Sequence, residues 1–456
     1  MATHAVEDAP VSRSAPDAHA PGDGAGAAPA RTSARAWYMA GMLSLAYLLS
    51  LLDRYLLSVV LEDVKAYLHL TDTQLGILQG PSFVLIFLIA SIPSGRLADI
   101  ASRKWTIFAG LSCWSLATLG CGMAESFWQL MAARLAIGLG EAALIPSALS
   151  MIAASFSRAT LNRGTSIFSM GSSLGKAAAF SLGGAVFAWL SGRGGLSLAL
   201  PGHFQPWQGV FVIAALAGLA FTLLFALTIR EPARLARTGP RTSFASGFAF
   251  FWRHRRAYLS VFIPFSMSVG IAALLAAWSV SFYVRQHGVS VAYAANVVGL
   301  TGLIAGPTGH LFGGWFSDRL RVRGWVGREP YVIVGAVLWG AFFTAFFLLT
   351  PSLKVAGIAY CLAYFALSAA GPIGFGASQL PTPDRCRGVL SSLLLICYSA
   401  LGSMTPPLLV GLLNDALFDQ QRLGGAILVT LAILVLVALP FPMLGGRAYM
   451  RAVKEA

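Results

Sequence analysis

Five ionisable side chains sit inside stretches that are otherwise almost wholly apolar. Asp53 and Arg54 lie in a run near residues 37–60, Arg134 and Glu141 in one near 128–155, and Lys176 midway along one near 164–190. Runs of this length can cross the ~30 Å hydrocarbon core of a bilayer. A charge at the centre of such a run costs roughly 3 kcal/mol on insertion scales, so each needs a partner or a water-filled cavity. The chemistry open to them is narrow. A carboxylate beside an arginine can take up or release a proton as the arginine approaches or withdraws, and a lysine or arginine can hold an anionic group.

Position along the helices limits who can meet whom. Asp53 and Arg54 are adjacent, so they point about 100° apart and address different neighbours. At 1.5 Å per residue, Asp53 lies about 10 Å below the end of its run, and Glu141 is about 20 Å deep from the same side with Arg134 about two turns above it. Lys176 stands on a narrow face with Ser172, Ala179 and Gly183, too deep to snorkel to either surface. It is expected to face a central cavity and either to pair with Glu141 or to bind an anionic head group. Structural readings stand beside these: Arg54 snorkelling outward, Asp53 and Glu141 in structural pairs, Arg134 clamping helices, Lys176 buried for packing.

Other chemistry finds no support. The seven histidines show no paired spacing, and the five cysteines no paired spacing either, which argues against a metal site, a disulfide framework and a clustered nucleophile and base. No enzymatic activity, metal or cofactor is expected. His310, among Gly306, Pro307, Gly309 and Gly313, reads as a packing residue.

The elements that must position the five residues follow from composition. Of 456 residues, 57% are hydrophobic and only 11% charged, and the mean hydropathy is +0.71, against about 25% charged in a soluble protein. This is an all-α membrane protein, since runs this long cross lipid as helices. Twelve runs are counted, near 37–60, 74–98, 105–123, 128–155, 164–190, 207–229, 258–284, 292–316, 331–350, 354–380, 388–413 and 424–444. Of the 32 Lys and Arg, 24 fall on one side of these runs, 5 on the other and 3 within them. That bias reads as topology and not as nucleic-acid binding, and it places both termini in the cytoplasm.

Five segments are expected: a disordered tail over 1–35, six helices over 36–229, a cytoplasmic linker over 230–257, six helices over 258–445, and a tail over 446–456. The halves repeat in their punctuation. Gly95-Arg-Leu-Ala-Asp99 follows the second run and Gly314-Trp-Phe-Ser-Asp318 the eighth, while Arg163-Gly164 and Arg387-Gly388 open the fifth and eleventh. Two such halves signal a repeat-built transporter with its site at their interface.

Here the motifs resemble a known family. Gly95-Arg-Leu-Ala-Asp99-Ile-Ala-Ser-Arg103-Lys104 is similar to the loop signature of the major facilitator superfamily, with Ser102 where that pattern usually has Gly. Asp53-Arg54-Tyr55, Arg134-x-x-x-Gly138-x-Gly140-Glu141-Ala142 with Pro146, and Arg230-Glu231-Pro232 together resemble its bacterial Spinster-like branch. Gly171-Ser-Ser-Leu-Gly175-Lys176 departs from the Gly-Pro found in the fifth helix of many antiporters.

The resemblance implies two pseudo-symmetric six-helix bundles, alternating access, a monomer in a bacterial inner membrane, and a proton-coupled amphipathic or anionic substrate such as a lysolipid or sphingoid phosphate. A proton-coupled organic anion symporter is the second reading, and a sensor that binds without transporting is a third. It also implies gating by Gly95, Asp99, Arg103, Lys104, Asp318 and Arg319. Asp99 would accept from the start of the eleventh helix and Asp318 from the start of the fifth, locking the cytoplasmic side when the opposite side is open; for Arg103 and Lys104 plain topology is the alternative.

Overall fold

The computed structural model describes residues 32–157, 160–197, 203–233 and 244–455. Long helices follow the apolar runs: α1 (Ala34–Val59), α2 (Asp72–Ala98), α3 (Arg103–Gly122), α4 (Phe127–Ser155), α5 (Leu161–Ser191), α6 (Pro206–Thr228), α7 (Arg255–His287), α8 (Val291–Val322), α9 (Glu329–Leu349), α10 (Leu353–Gln379), α11 (Arg387–Phe418) and α12 (Leu423–Glu455). Among the described residues, eleven are long and apolar enough to cross a membrane by length and composition, and α3 is the twelfth, with Arg103 and Lys104 in its first turn. The first six form one bundle, in which α1 packs on α5 and α3 on α4 and α6. In the second, α10 packs on α8 and α9, and α7 runs through the core. The bundles meet where α5 crosses α8 and α2 crosses α11.

Several helices are broken where the sequence says they must be. In α4 the helix stops at Glu141 and restarts at Leu144. Pro146 has no N–H to give the Ala142 carbonyl, and its ring crowds that carbonyl. In α2 the break falls at Gly80, ahead of Pro81. In α11 a π-helical turn spans Tyr398–Met404, just before Pro406 and Pro407 remove two donors.

Two segment boundaries differ from expectation. The linker holds a helix, Phe244–Arg253, with Gly247 packed against Val389 of α11. The last residues are not a tail: α12 bends at Leu439 and continues to Glu455. Gly445 and Gly446 let it lie close to Ser260 and Tyr331, and buried Tyr449 donates to the Ala377 carbonyl at 2.9 Å. Most of the 1–35 tail lies outside the described residues.

The two ends of the interface differ. The end poor in Lys and Arg is closed. There Asp72, fully buried, accepts from Lys65 at 2.7 Å and from both Arg285 terminal nitrogens at 2.8 Å, and also from Asn414. Glu62 takes the Arg285 Nε at 2.9 Å. Asp415 accepts from the Asp72 and Thr73 backbone N–H groups at 3.1 and 2.7 Å, capping α2 from the other bundle. At the basic end Gly95, Gly314 and Gly388 have no heavy atom within 4 Å of where a Cβ would stand, so the bundles are apart there. The molecule is open toward its basic end.

Candidate functional site

Below the closed end, α1, α2 and α4 bring four of the five residues together. Gly110 of α3 and Gly140 of α4 let those backbones touch, since a Cβ at Gly110 would stand 2.6 Å from the Gly140 oxygen; this seats Glu141 against α1. Arg54 donates to Glu141 Oε2 at 2.6 Å, and its guanidinium lies 4.0 Å from the centre of the Phe83 ring. Glu141 is 2% exposed with the Ser50 hydroxyl beside its carboxylate, and neither its Oε1 nor the Arg54 Nε has a hydrogen-bond partner within 3.5 Å. A carboxylate oxygen so placed has spare capacity for a proton.

Asp53 and Arg134 take other partners. Asp53 turns away from the cavity and accepts from the Thr118 hydroxyl of α3 at 3.2 Å. Arg134 is 1% exposed, and it makes the clamp that was one of its two readings. Its Nε donates to the Leu78 carbonyl at 3.2 Å and its Nη1 to the Arg54 carbonyl at 3.3 Å, tying α4 to α2 and α1.

Lys176 does not pair with Glu141, whose ion-pair partner is Arg54. Its ammonium lies 5.5 Å from the centre of the Tyr55 ring and beside the Tyr364 hydroxyl of α10. With Ser172, Ser173, Tyr360, Tyr364 and His310 it lines a cavity of about 90 Å³ between the bundles. His310 is exposed to this space, not packed away, with Nδ1 held at 2.7 Å by the Gly306 carbonyl. A smaller cavity of about 60 Å³, lined by Arg54, Tyr55, Gln79 and Phe83, lies toward the closed end.

The gating residues divide. Asp99 has a side chain outside the described residues. Asp318 does not reach the start of α5 in this conformation; its carboxylate is exposed, 3.9 Å from Arg321, and Arg319 is exposed too. In this conformation Arg103 does not reach across to the second bundle. It is 2% exposed and bound within the first bundle, to Glu231 at 3.1 Å and to the Ser150 and Pro232 carbonyls. Glu231 also accepts from the Ser102 hydroxyl and from the Arg103 and Lys104 N–H groups at 2.8 and 3.2 Å, capping α3. Ser102, the departure from the signature, is thus a capping residue. Partial burial pushes the Glu231 carboxyl up, but these donors outweigh it and hold the group below its usual range.

Sequence reasoning missed Tyr364, Thr118 and the closed-end network of Glu62, Asp72, Arg285, Asn414 and Asp415. Tyr55 was in hand as part of Asp53-Arg54-Tyr55 without a role. The signal for the network was charge at helix ends on the basic-poor side, where few charges are needed for topology.

Comparison with known proteins agrees with this architecture. The description Major Facilitator Superfamily matches residues 43–407. An MFS-type efflux pump of Mycolicibacterium smegmatis is 26% identical over 434 residues, covering 92% of this chain and 95% of that protein. Human Protein spinster homolog 1 is 23% identical over 407 residues, covering 81% and 71%. A bacterial homolog of the human lysosomal transporter Spinster, solved in an inward-facing, unoccupied conformation, shares the fold with a TM-score of 0.76 at 24% identity, covering 93% and 98% of the two chains.

Proposed function

Because the chain belongs to the major facilitator superfamily, in its Spinster-like branch, we propose that this integral membrane transporter is secondary active, couples its cargo to protons, and moves an amphipathic anion such as a lysolipid or sphingoid phosphate. Its basic end faces the cytoplasm of a bacterial inner membrane, following the Lys and Arg bias. One observation carries the reading: the Arg54–Glu141 pair, buried below a closed end and beside a cavity, with one carboxylate oxygen and one guanidinium nitrogen unpartnered.

A buried pair of this kind is strongly perturbed when one partner loses its charge. A proton placed on Glu141 removes the anion that balances Arg54, and leaves a buried positive charge that an anionic cargo can balance in its place. Cargo and proton therefore load together in the state open to the basic end. With both sites satisfied, no net charge is stranded as the bundles rock, which lowers the barrier to opening the opposite end. Aromatic residues of the first bundle, Tyr47 stacked on Phe168 with ring centres 4.9 Å apart, give an apolar wall for a tail.

The test uses the purified protein in liposomes holding a pH-sensitive dye, challenged with lysolipids and sphingoid phosphates. Wild type should acidify the lumen as cargo enters, and Glu141→Gln should abolish pH-driven uptake while cargo still binds. Identical pH dependence in wild type and Glu141→Gln would remove the pair from coupling.

A further inference from the structure

Count the charges set deep in the apolar runs. Three cations, Arg54, Arg134 and Lys176, face two carboxylates, Asp53 and Glu141. Glu141 is taken by Arg54, and Asp53 lies within electrostatic range of Arg134. Lys176 is left over: among the described residues it makes no ion pair, only the face of Tyr55 and the neighbourhood of Tyr364. One ring hydroxyl and a ring face are a weak substitute for an anion at this depth. The cavity at Lys176 is already formed, and both bundles build it: α5 from the first, α8 and α10 from the second.

We propose that Lys176, Tyr364 and His310 form a subsite for the head group of the cargo, reading an anionic oxygen beside a hydroxyl. The proposal rests on the reading above that the cargo is an amphipathic anion, and adds which residues recognise its head. The Lys176 ammonium and the Tyr364 hydroxyl donate to the anionic oxygen. His310 does something different. Its Nδ1 is committed to the Gly306 carbonyl at 2.7 Å and must donate there. In the neutral ring Nε2 is then an acceptor. A site with two donors and one acceptor fits a phosphate monoester carrying P–OH, or a hydroxy acid, better than a bare carboxylate.

The subsite has a mechanical consequence. Lys176 belongs to the first bundle, and Tyr364 and His310 to the second, so a head group held by all three is a bridge. It draws α5 toward α8 and α10, on the side where Gly184 already touches Ala295 nearer the closed end. Occupancy of this subsite favours closing the basic end over the cargo.

The experiment measures thermal unfolding of the full chain in lipid nanodiscs with three probes of equal tail: dodecyl phosphate, dodecanoate and dodecyltrimethylammonium. Wild type should be stabilised by the two anions, most by the phosphate, and not by the cation. Lys176→Met should weaken both anions at least tenfold, Lys176→Arg should restore them, and His310→Phe should weaken dodecyl phosphate while leaving dodecanoate as in wild type. Tyr364→Phe gives a second, milder variant should Lys176→Met fold poorly, and it should weaken both anions. Anion affinity unchanged in Lys176→Met, or in Tyr364→Phe if only that variant folds, overturns the subsite while leaving an anionic cargo intact. If wild type binds the cation in preference to both anions, the anionic reading itself falls.

Discussion

The two ends of the bundle interface use similar residues in opposite ways. At the closed end, charges cross between the bundles: Arg285 of α7 reaches Glu62 and Asp72, and Asp415 of α11 caps α2. Glycines there meet the opposite backbone; a Cβ on Gly76 would stand 2.7 Å from the Pro407 oxygen. At the basic end, charges bind within a bundle, as Glu231 does with Arg103, and Gly95, Gly314 and Gly388 face open space. One set of contacts is therefore spent on holding a state, the other on holding a bundle together. For access to alternate, the first set must break, and the second must not.

The most damaging way to break this contrast is a wedge. In Gly76→Leu even the Cβ collides with backbone, which cannot swing aside as a side chain would. The closed end should fail to close and transport should fall to background. Spin labels at Thr71 and Gln420, on opposite bundles at that end, should report a longer distance. Unchanged distances would mean that the contact is incidental.

Next comes the latch. Asp72→Asn removes the carboxylate shared by Lys65, Arg285 and Asn414. Orphaning one side of a buried pair costs about 3–5 kcal/mol; the lower figure is expected because Arg285 keeps Glu62. That is roughly a hundredfold shift toward opening of this end, read by the same labels. Asp415→Ala removes only a helix cap across the interface, about 1 kcal/mol, and should shift it by roughly fivefold.

On the basic side, Glu231→Gln should separate bundle stability from gating. The wild-type carboxyl is held below its ordinary value of 4.5, so its contribution is complete above that value and is lost as pH falls through the lower folded one. Hydrogen bonds to a charged group are worth about 1.5–3 kcal/mol, less here because the side chain is partly exposed. The variant should therefore melt a few degrees lower at pH 6 to 8, with the gap closing below about pH 4. The label distances at the closed end should not move.

What the sequence disclosed and what it hid follow from the same energetics. The apolar runs and the charges set within them were legible because lipid makes charge and exposed backbone costly. The loop-signature motif located Ser102, Arg103 and Lys104 at the start of α3, but not their partner Glu231, which is 128 residues from Arg103. Arg134 was ambiguous because its acceptors are backbone carbonyls near the α2 break, and carbonyls leave no mark in a sequence. The closed-end network was hidden for a plainer reason. Counting Lys65 and Arg285 as topology discards the carboxylates beside them, and the pairing of Asp72 with Arg285 spans 213 residues. Of the two readings of Lys176, the pair with Glu141 is not made in this conformation, since nothing in one chain says that Arg54 reaches Glu141.

The smallest expected effect is also the sharpest check on the contrast. Gly95→Ala and Gly314→Ala add a methyl group where no heavy atom lies within 4 Å. In the conformation described, neither should lower the melting temperature, and each should gain about 0.5–1 kcal/mol, since Gly is the poorer residue inside a helix. The cost should appear only when the basic end closes. If Gly95 and Gly314 then meet the opposite bundle as Gly76 does now, the methyl group opposes that state, and labels across the basic end should show a larger open fraction while turnover slows severalfold. The two readouts must move apart: stability equal or higher, turnover lower. A lower melting temperature would show that these glycines are already packed at rest, and the basic end would no longer be the unlatched one. Unchanged turnover with unchanged labels would show instead that closure there does not use them, and that the repeated Gly-to-Asp punctuation serves the helix ends alone.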